Sequence, residues 1–381
     1  MSRALYWQLA GFYFFYFAYI GAFAPYFSLY LDSLGYGAAL IGLLLALPQA
    51  MRVLAAHLWA YLADRYRSRV RVTWLAGLAG TITFAGVFAG TEVAWLALCL
   101  ALWSFFWSAA LPLMETTTLD HLAGRSGDYG RIRLWGSVGF IVAVIGVGWL
   151  LDRSPIVMLL WILGATMVGI LVSTWNVPEP GLHEEEKGAA EPIRNVLRRA
   201  EVIALIAACF MMAVAHGPYY TFFSLHLVAH GYSKTAIGWL WGVGVIAEIA
   251  VFAALPWLYR SFSAQRLLAA SFVLAVLRFV LIAWFADVAL VLFFAQLLHA
   301  ATFGVFHSAA LARVQGFFRG ANASRGQAVY SSLCFGLGGS LGGLGSGVAW
   351  ERVGAGWTFS AAALCALLGL VLLAAVRPRR G

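Results

Sequence analysis

Charge is scarce in this chain. Only 11% of its 381 residues are Asp, Glu, Lys or Arg, 62% are hydrophobic, and the mean hydropathy is +0.85. That balance excludes a soluble globular domain. Cysteine is scarce too: Cys99, Cys209, Cys334 and Cys365 all fall inside apolar runs, so no disulfide framework is indicated. The sequence has no Walker A motif, so ATP does not drive its work. It has no nucleotide motif and no nucleophile–base pairing, so neither an enzyme nor a bound cofactor is indicated. The eight histidines lack metal-ligand grouping, and no metal is expected. A pI near 9.6 would suggest nucleic acid for a soluble protein. Here the placement of the basic residues in loops explains it without a nucleic-acid partner.

Long apolar runs dominate what remains. Twelve are each about long enough to cross a ~30 Å hydrocarbon core: 5–31, 38–60, 72–90, 93–119, 134–151, 156–175, 201–229, 236–258, 267–285, 288–311, 328–350 and 357–376. The first is too long for a signal-peptide core, and Pro25 follows its Ala22-Phe23-Ala24 triplet, a poor context for cleavage. The expected fold is therefore an all-α integral membrane protein with twelve transmembrane helices in the lipid bilayer. Basic residues fix the orientation. Of 25, only Arg153, Lys234 and Arg352 lie in the loops opposite the N-terminus, and Arg52 and Arg278 lie within spans. The positive-inside rule then places both termini in the cytoplasm. A multi-pass protein of the bacterial inner membrane is expected.

Six spans precede the polar segment 176–200 and six follow it. That segment holds Pro178, Pro180, the run Glu184-Glu185-Glu186, and Arg194, Arg198 and Arg199. The spacing predicts a six-helix bundle over 1–175, a cytoplasmic linker over 176–200 and a second six-helix bundle over 201–381. The halves repeat. A shift of 196 residues carries Phe27-Ser28-Leu29 onto Phe223-Ser224-Leu225, Gly35-Tyr36 onto Gly231-Tyr232, and Ile41-Gly42 onto Ile237-Gly238. The same shift puts Arg52 on Glu248. Two six-span halves in parallel repeat are the arrangement of major facilitator transporters, with the solute site at midplane.

Ionisable residues deep in apolar runs cost at least ~2.5–3.5 kcal/mol on insertion scales and are kept mainly where they pair or line a polar route. Glu115, Glu248, Arg52 and Arg278 are such residues, which points to a pathway for a solute, a proton or both. An arginine cannot discharge, and its fork binds a carboxylate bidentately, which favours an anionic or strongly polar solute. Glu115 with Arg133, 18 residues on, offers a recognition pair; the plainer reading is an acid near a span end. Glu248 could equally be a structural partner of Arg52 or Arg278. Gln296, His299, Phe303 and His307 fall at offsets 0, 3, 7 and 11, one helical stripe, and are expected to line a cavity. Tyr16, Tyr19, Phe23, Tyr26 and Tyr30 form an aromatic stripe on the first span, read equally well as cavity lining or as packing. His57, His216 and His226 are expected to be structural.

Several of these residues lie in longer motifs. Tyr129-Gly-Arg-Ile-Arg-Leu-Trp-Gly-Ser-Val-Gly-Phe140, Gly231 to Glu248, Val276-Leu-Arg278, Gln296-Leu-Leu-His299 with His307, and Gln327-Ala-Val-Tyr330 resemble the phenylpropionate permease family of the major facilitator superfamily. The likeness spans essentially the whole chain. It implies a proton-coupled symporter that imports a small organic solute, an aromatic carboxylate such as 3-phenylpropionate, with substrate and proton as its partners, acting as a monomer. A sugar or nucleoside symporter, or an efflux transporter of the same superfamily, is the alternative. More distantly the chain resembles lactose-permease-type sugar:proton symporters. That likeness implies Glu115, Arg133 and Phe140 at the substrate, and Glu248, Arg278 and His299 in proton coupling; Arg52, a cation within a span, is expected at the substrate on its own chemistry. It departs at Thr302, where a carboxylate is usual, and at Phe140, where tryptophan is usual. Leu62-Ala63-Asp64-Arg65 with Arg69 resembles the superfamily's loop signature, which implies a gating role for Asp64 and Arg65. Ala60 and Arg67 stand there in place of glycines.

Overall fold

A computed structural model describes residues 2–122, 126–180 and 191–375. Among these residues there is no strand. The main helices are α1 (Arg3–Ser33), α2 (Ala38–Tyr66), α3 (Arg69–Phe88), α4 (Val93–Leu122), α5 (Ser126–Leu151) and α6 (Met158–Thr174). They continue with α7 (Ala200–Ala229), α8 (Lys234–Ser261), α9 (Ala264–Trp284), α10 (Ala289–Phe317) and α11 (Arg325–Ala375). Ten are long and apolar enough to cross a membrane, and α6, of 17 residues, is shorter. The run expected over 328–350, and the one over 357–376 as far as the described residues reach, both lie in α11. There Gly354 takes φ 81° and ψ 177° and breaks the helical path.

Local chemistry explains the ends. The Ser2 hydroxyl accepts from Leu5 N at 3.2 Å and caps α1. At its other end Gly35 takes φ 82°, with Gly35 N bonded to Asp32 O and Tyr36 N to Leu31 O. That is the glycine termination expected where a helix must release its last carbonyls. Gly231, its repeat equivalent, takes φ 80° and closes α7 in the same way, with its N–H on Val228 O.

The chain divides into two compact units. Unit 1 holds residues 1–36, 47–184 and 232–242; unit 2 holds 37–46, 185–231 and 243–381. The short segments 37–46 and 232–242 thus pack apart from the rest of α2 and α8. Within unit 1, α1 packs on α5 and α6. Its core joins Leu9, Phe12, Tyr13 and Tyr16 to Met114 and Ile132. A Cβ at Gly139 would overlap the Phe14 carbonyl, so α1 and α5 meet backbone to backbone. In unit 2, α7 and α9 pack on α11, and a Cβ at Gly217 would overlap the backbone of Gly342. Small residues at such seams let helices approach closely where lipid provides no hydrophobic drive.

Candidate functional site

Two polar clusters stand out, one in each unit. In unit 1, α5 presents Arg133 and α4 presents Glu115, with Arg133 Nε 3.9 Å from Glu115 Oε1 and each side chain about one-third exposed, 32% and 36%. That separation is an ion pair but too long for a hydrogen bond. Tyr129 donates its hydroxyl to Glu115 Oε1 at 3.3 Å. The guanidinium rests instead on aromatic faces: its carbon is 3.9 Å from the Phe17 ring centre and 5.8 Å from that of Tyr13. Gly136 makes this possible, because a Cβ there would lie 2.7 Å from Phe17 Cδ2 and 2.8 Å from an Arg133 terminal nitrogen. The planar fork is therefore oriented by π faces while its N–H groups are only loosely engaged by Glu115.

An aromatic column adjoins this pair. Tyr16 stacks on Trp107 at 4.6 Å and 12°, Trp107 lies 4.3 Å from Tyr19, and Trp103 lies 5.3 Å from Tyr19 and 5.1 Å from Phe23. Tyr19 is buried, and its hydroxyl has no hydrogen-bond partner among the described residues; Phe23 is half-buried. Phe140 is buried as well, with its carbonyl oxygen against Gly21 of α1. Arg52, expected to be buried, is exposed on α2.

In unit 2 the centre is Arg278 of α9, fully buried. Its Nε donates to Ala295 O at 3.1 Å, and its terminal nitrogens donate to Thr302 Oγ1 at 3.3 Å and Gln296 Oε1 at 3.5 Å. The Tyr219 ring centre is 4.1 Å from the guanidinium carbon, and the Tyr219 hydroxyl donates to Gln296 Oε1 at 2.9 Å. These three acceptors are neutral, and Thr302 stands where the distant relatives carry an acid. The stripe on α10 stacks as its spacing requires: His299 on Phe303 at 5.4 Å and 14°, Phe303 on His307 at 6.3 Å and 10°. A π-helical turn, Ala300–Val305, interrupts α10 at this point. Such insertions recur at functional sites.

Glu248 of α8 is half-buried and close enough to Tyr219 and Tyr220 to act on their hydroxyls. Two glycines admit it to the cluster. A Cβ at Gly304 would lie 3.2 Å from Glu248 Cγ, and one at Gly244 would lie 3.3 Å from the His299 ring. His216 belongs here too. Its ring meets Phe279 edge-on at 5.2 Å, and its Nδ1 lies 2.9 Å from Met212 O. Among the described residues, His216 Nε2, Gln296 Nε2 and His299 Nδ1 are buried without a hydrogen-bond partner. Neighbouring Tyr219-Tyr220 was the signal available in the sequence.

At the α2–α3 turn Asp64 and Arg65 are exposed, and Arg69 pairs with Asp120. Arg67 takes φ 48°, the left-handed conformation that a glycine adopts freely. The acid that caps α3 comes from further along the chain. Glu179 accepts from Ser68 Oγ at 2.6 Å, Arg71 N at 3.0 Å and Val70 N at 3.2 Å. Of the acidic run 184–186, nothing falls within the described residues.

The sequence matches the MFS_1 like family over residues 6–361. The chain belongs to that family. It is 34% identical over 343 residues to a probable 3-phenylpropionic acid transporter of Escherichia coli (strain K12), with 88% of each chain covered. It is 27% identical to a maltose permease of Geobacillus stearothermophilus over 95% of this chain and 92% of that one. A solved structure of a variant of the nucleoside transporter NupG superposes with a TM-score of 0.85 at 20% identity, covering 97% and 99% of the two chains. The protein is thus a multi-pass membrane transporter of the major facilitator type, as its motifs indicated. At 20% identity the NupG likeness speaks to fold alone.

Proposed function

We propose that this family member is a proton-coupled symporter of the bacterial inner membrane, importing a small aromatic carboxylate such as 3-phenylpropionate by alternating access. The observation that carries the substrate is the 34% identity, over 88% of the chain, to the probable 3-phenylpropionic acid transporter. The chemistry of unit 1 supports it. An arginine fork laid on aromatic faces suits a solute with a carboxylate and a ring, and the column of Trp107, Tyr19, Trp103 and Phe23 offers flat apolar surface. Arg133 binds the carboxylate, Glu115 sits beside it as the charge partner at the substrate, Phe140 backs the site and Arg52 draws the anion in.

Proton coupling falls to Glu248, Arg278 and His299, lined by Gln296, Phe303 and His307. Burial raises a carboxylate's proton affinity and a nearby cation lowers it, so an acid between the two regimes can exchange its proton as its surroundings change. Counting α6 and both sides of Gly354 gives twelve spans, with both termini cytoplasmic. Asp64 and Arg65 gate the cytoplasmic end, and the transporter works as a monomer without catalysing a covalent step.

A sugar or nucleoside symporter is the second reading, favoured by the maltose permease relative and by the Glu115–Arg133 pair. Thermal-shift titrations of the purified protein with 3-phenylpropionate, maltose and uridine separate the two. Stabilisation by the acid alone supports the first; stabilisation by a neutral sugar or nucleoside, with none by the acid, overturns it. Uptake into proteoliposomes with and without an imposed pH gradient tests the coupling.

A further inference from the structure

The start of α8 is held on the end of α5 by one carboxylate. Asp152, the residue after α5, accepts from Lys234 N at 2.8 Å through one oxygen, and from Thr235 N at 2.9 Å and Thr235 Oγ1 at 2.5 Å through the other. Tyr26 fills the seam, its hydroxyl 2.6 Å from Val144 O and 3.1 Å from Lys234 O. The seam leaves no slack. A Cβ at Gly148 would overlap the Lys234 carbonyl, and one at Gly238 would come within 2.5 Å of Val144 O.

The start of α2 is held on α11 in the same manner. Glu351 accepts from Ala39 N at 3.1 Å. A Cβ at Gly42 would lie 2.7 Å from Gly343 O, and one at Gly347 would lie 2.5 Å from Ala38 O. The two arrangements are related by the internal repeat. A shift of 196 carries the capped residue Ala39 onto Thr235 and the seam glycine Gly42 onto Gly238. The acids are not so related: the same shift carries Asp152 onto Val348 and Pro155 onto Glu351. Each half therefore provides its carboxylate from a different position for the same helix start. The duplication explains the equivalent targets; it does not explain why both are capped by an acid from another helix.

We propose that Asp152 and Glu351 are positioning residues of the transport cycle, two carboxylate latches that hold the starts of α8 and α2 closed on α5 and α11. This rests on the alternating-access reading given above. By chain order, residues 232–242 and 37–46 belong to α8 and α2; by packing, they sit in units 1 and 2, apart from the remainder of their own helices. Three donors converge on Asp152 and one on Glu351, and a charge-assisted cap of this kind is lost when the helix start moves away from its acid. The structure holds both latches closed.

The test is the alkylation rate of a buried reporter under each latch, in purified full-length protein. Val144→Cys, fully buried beside Gly238, reports on α8; Ala46→Cys, buried beside Gly343, reports on α2. Thr117→Cys, fully buried in α4, is the control for general loosening. Asp152→Asn should raise maleimide labelling of Val144→Cys at least fivefold and leave Thr117→Cys unchanged. Glu351→Gln should do the same for Ala46→Cys. Glu351 is exposed and gives one bond, so this variant keeps the test open should Asp152→Asn not fold. Unchanged labelling in folded variants, or equal acceleration at Thr117→Cys, overturns the proposal. Failure of 3-phenylpropionate to bind would instead remove the substrate reading and leave the labelling result standing.

Discussion

The guanidinium carbon of Arg133 lies 3.9 Å from the centre of the Phe17 ring, the same distance that separates Arg133 Nε from Glu115 Oε1. The aromatic face fixes the plane of the fork, and the carboxylate fixes its charge balance. Arg133→Lys keeps the charge but loses both the plane and the stacking. Carboxylate binding should weaken more than tenfold, about 1.4 kcal/mol or more, by calorimetry or tracer binding. Wild-type affinity in Arg133→Ala would make the pair structural.

Glu248 should separate accumulation from exchange. Glu248→Gln mimics the protonated acid and cannot release a proton. Uptake against a gradient should fall to background, while exchange of labelled for unlabelled solute in preloaded vesicles continues. Proton-driven accumulation at the wild-type rate would remove Glu248 from the coupling site.

Two glycines of α5 should respond oppositely to one methyl group. A Cβ at Gly139 overlaps the Phe14 carbonyl, whereas one at Gly146 meets nothing within 4 Å. Gly139→Ala should lose about 1–3 kcal/mol through overpacking, read as a lowered midpoint of thermal unfolding. Gly146→Ala should match the wild type or exceed it by up to ~1 kcal/mol, through its better helix propensity. Equal midpoints would place the α1–α5 seam elsewhere.

The Asp152 cap has a defined pH window. Burial alone would raise its carboxyl, but the bonds from Thr235 and Lys234 outweigh this and hold it below its ordinary value. A depressed carboxyl gives stability that is fully present above the unfolded value, about 3.9, and is lost as pH falls through the lower folded value. The difference in thermal midpoint between wild type and Asp152→Asn should stay constant from pH 5 to 8 and shrink below about pH 4. A difference that varies between pH 5 and 8 would contradict the geometry of the cap.

Much of this molecule was legible in its sequence for simple reasons. Apolar length selects helices that cross lipid, so α1 to α5 and α7 to α10 could be placed from composition. The repeat paired Gly35 with Gly231, and both prove to end a helix in the left-handed conformation that favours glycine. The α10 stripe of His299, Phe303 and His307 followed from helical spacing, and the rings do stack.

What only the tertiary structure decided lies between helices. Arg52 and Arg278 look alike in sequence, each a lone cation in an apolar run. Yet one is exposed, and the other is sealed among Ala295, Gln296 and Thr302. Which face a helix turns inward, and how near its neighbour comes, depends on every side chain in the seam, so the partners of a buried cation cannot be read from its own segment. The same holds for Glu179 on α3, Asp152 on α8 and Glu351 on α2. The sequence of a helix states that its first N–H groups need acceptors; only the packing of distant segments determines which acid meets them.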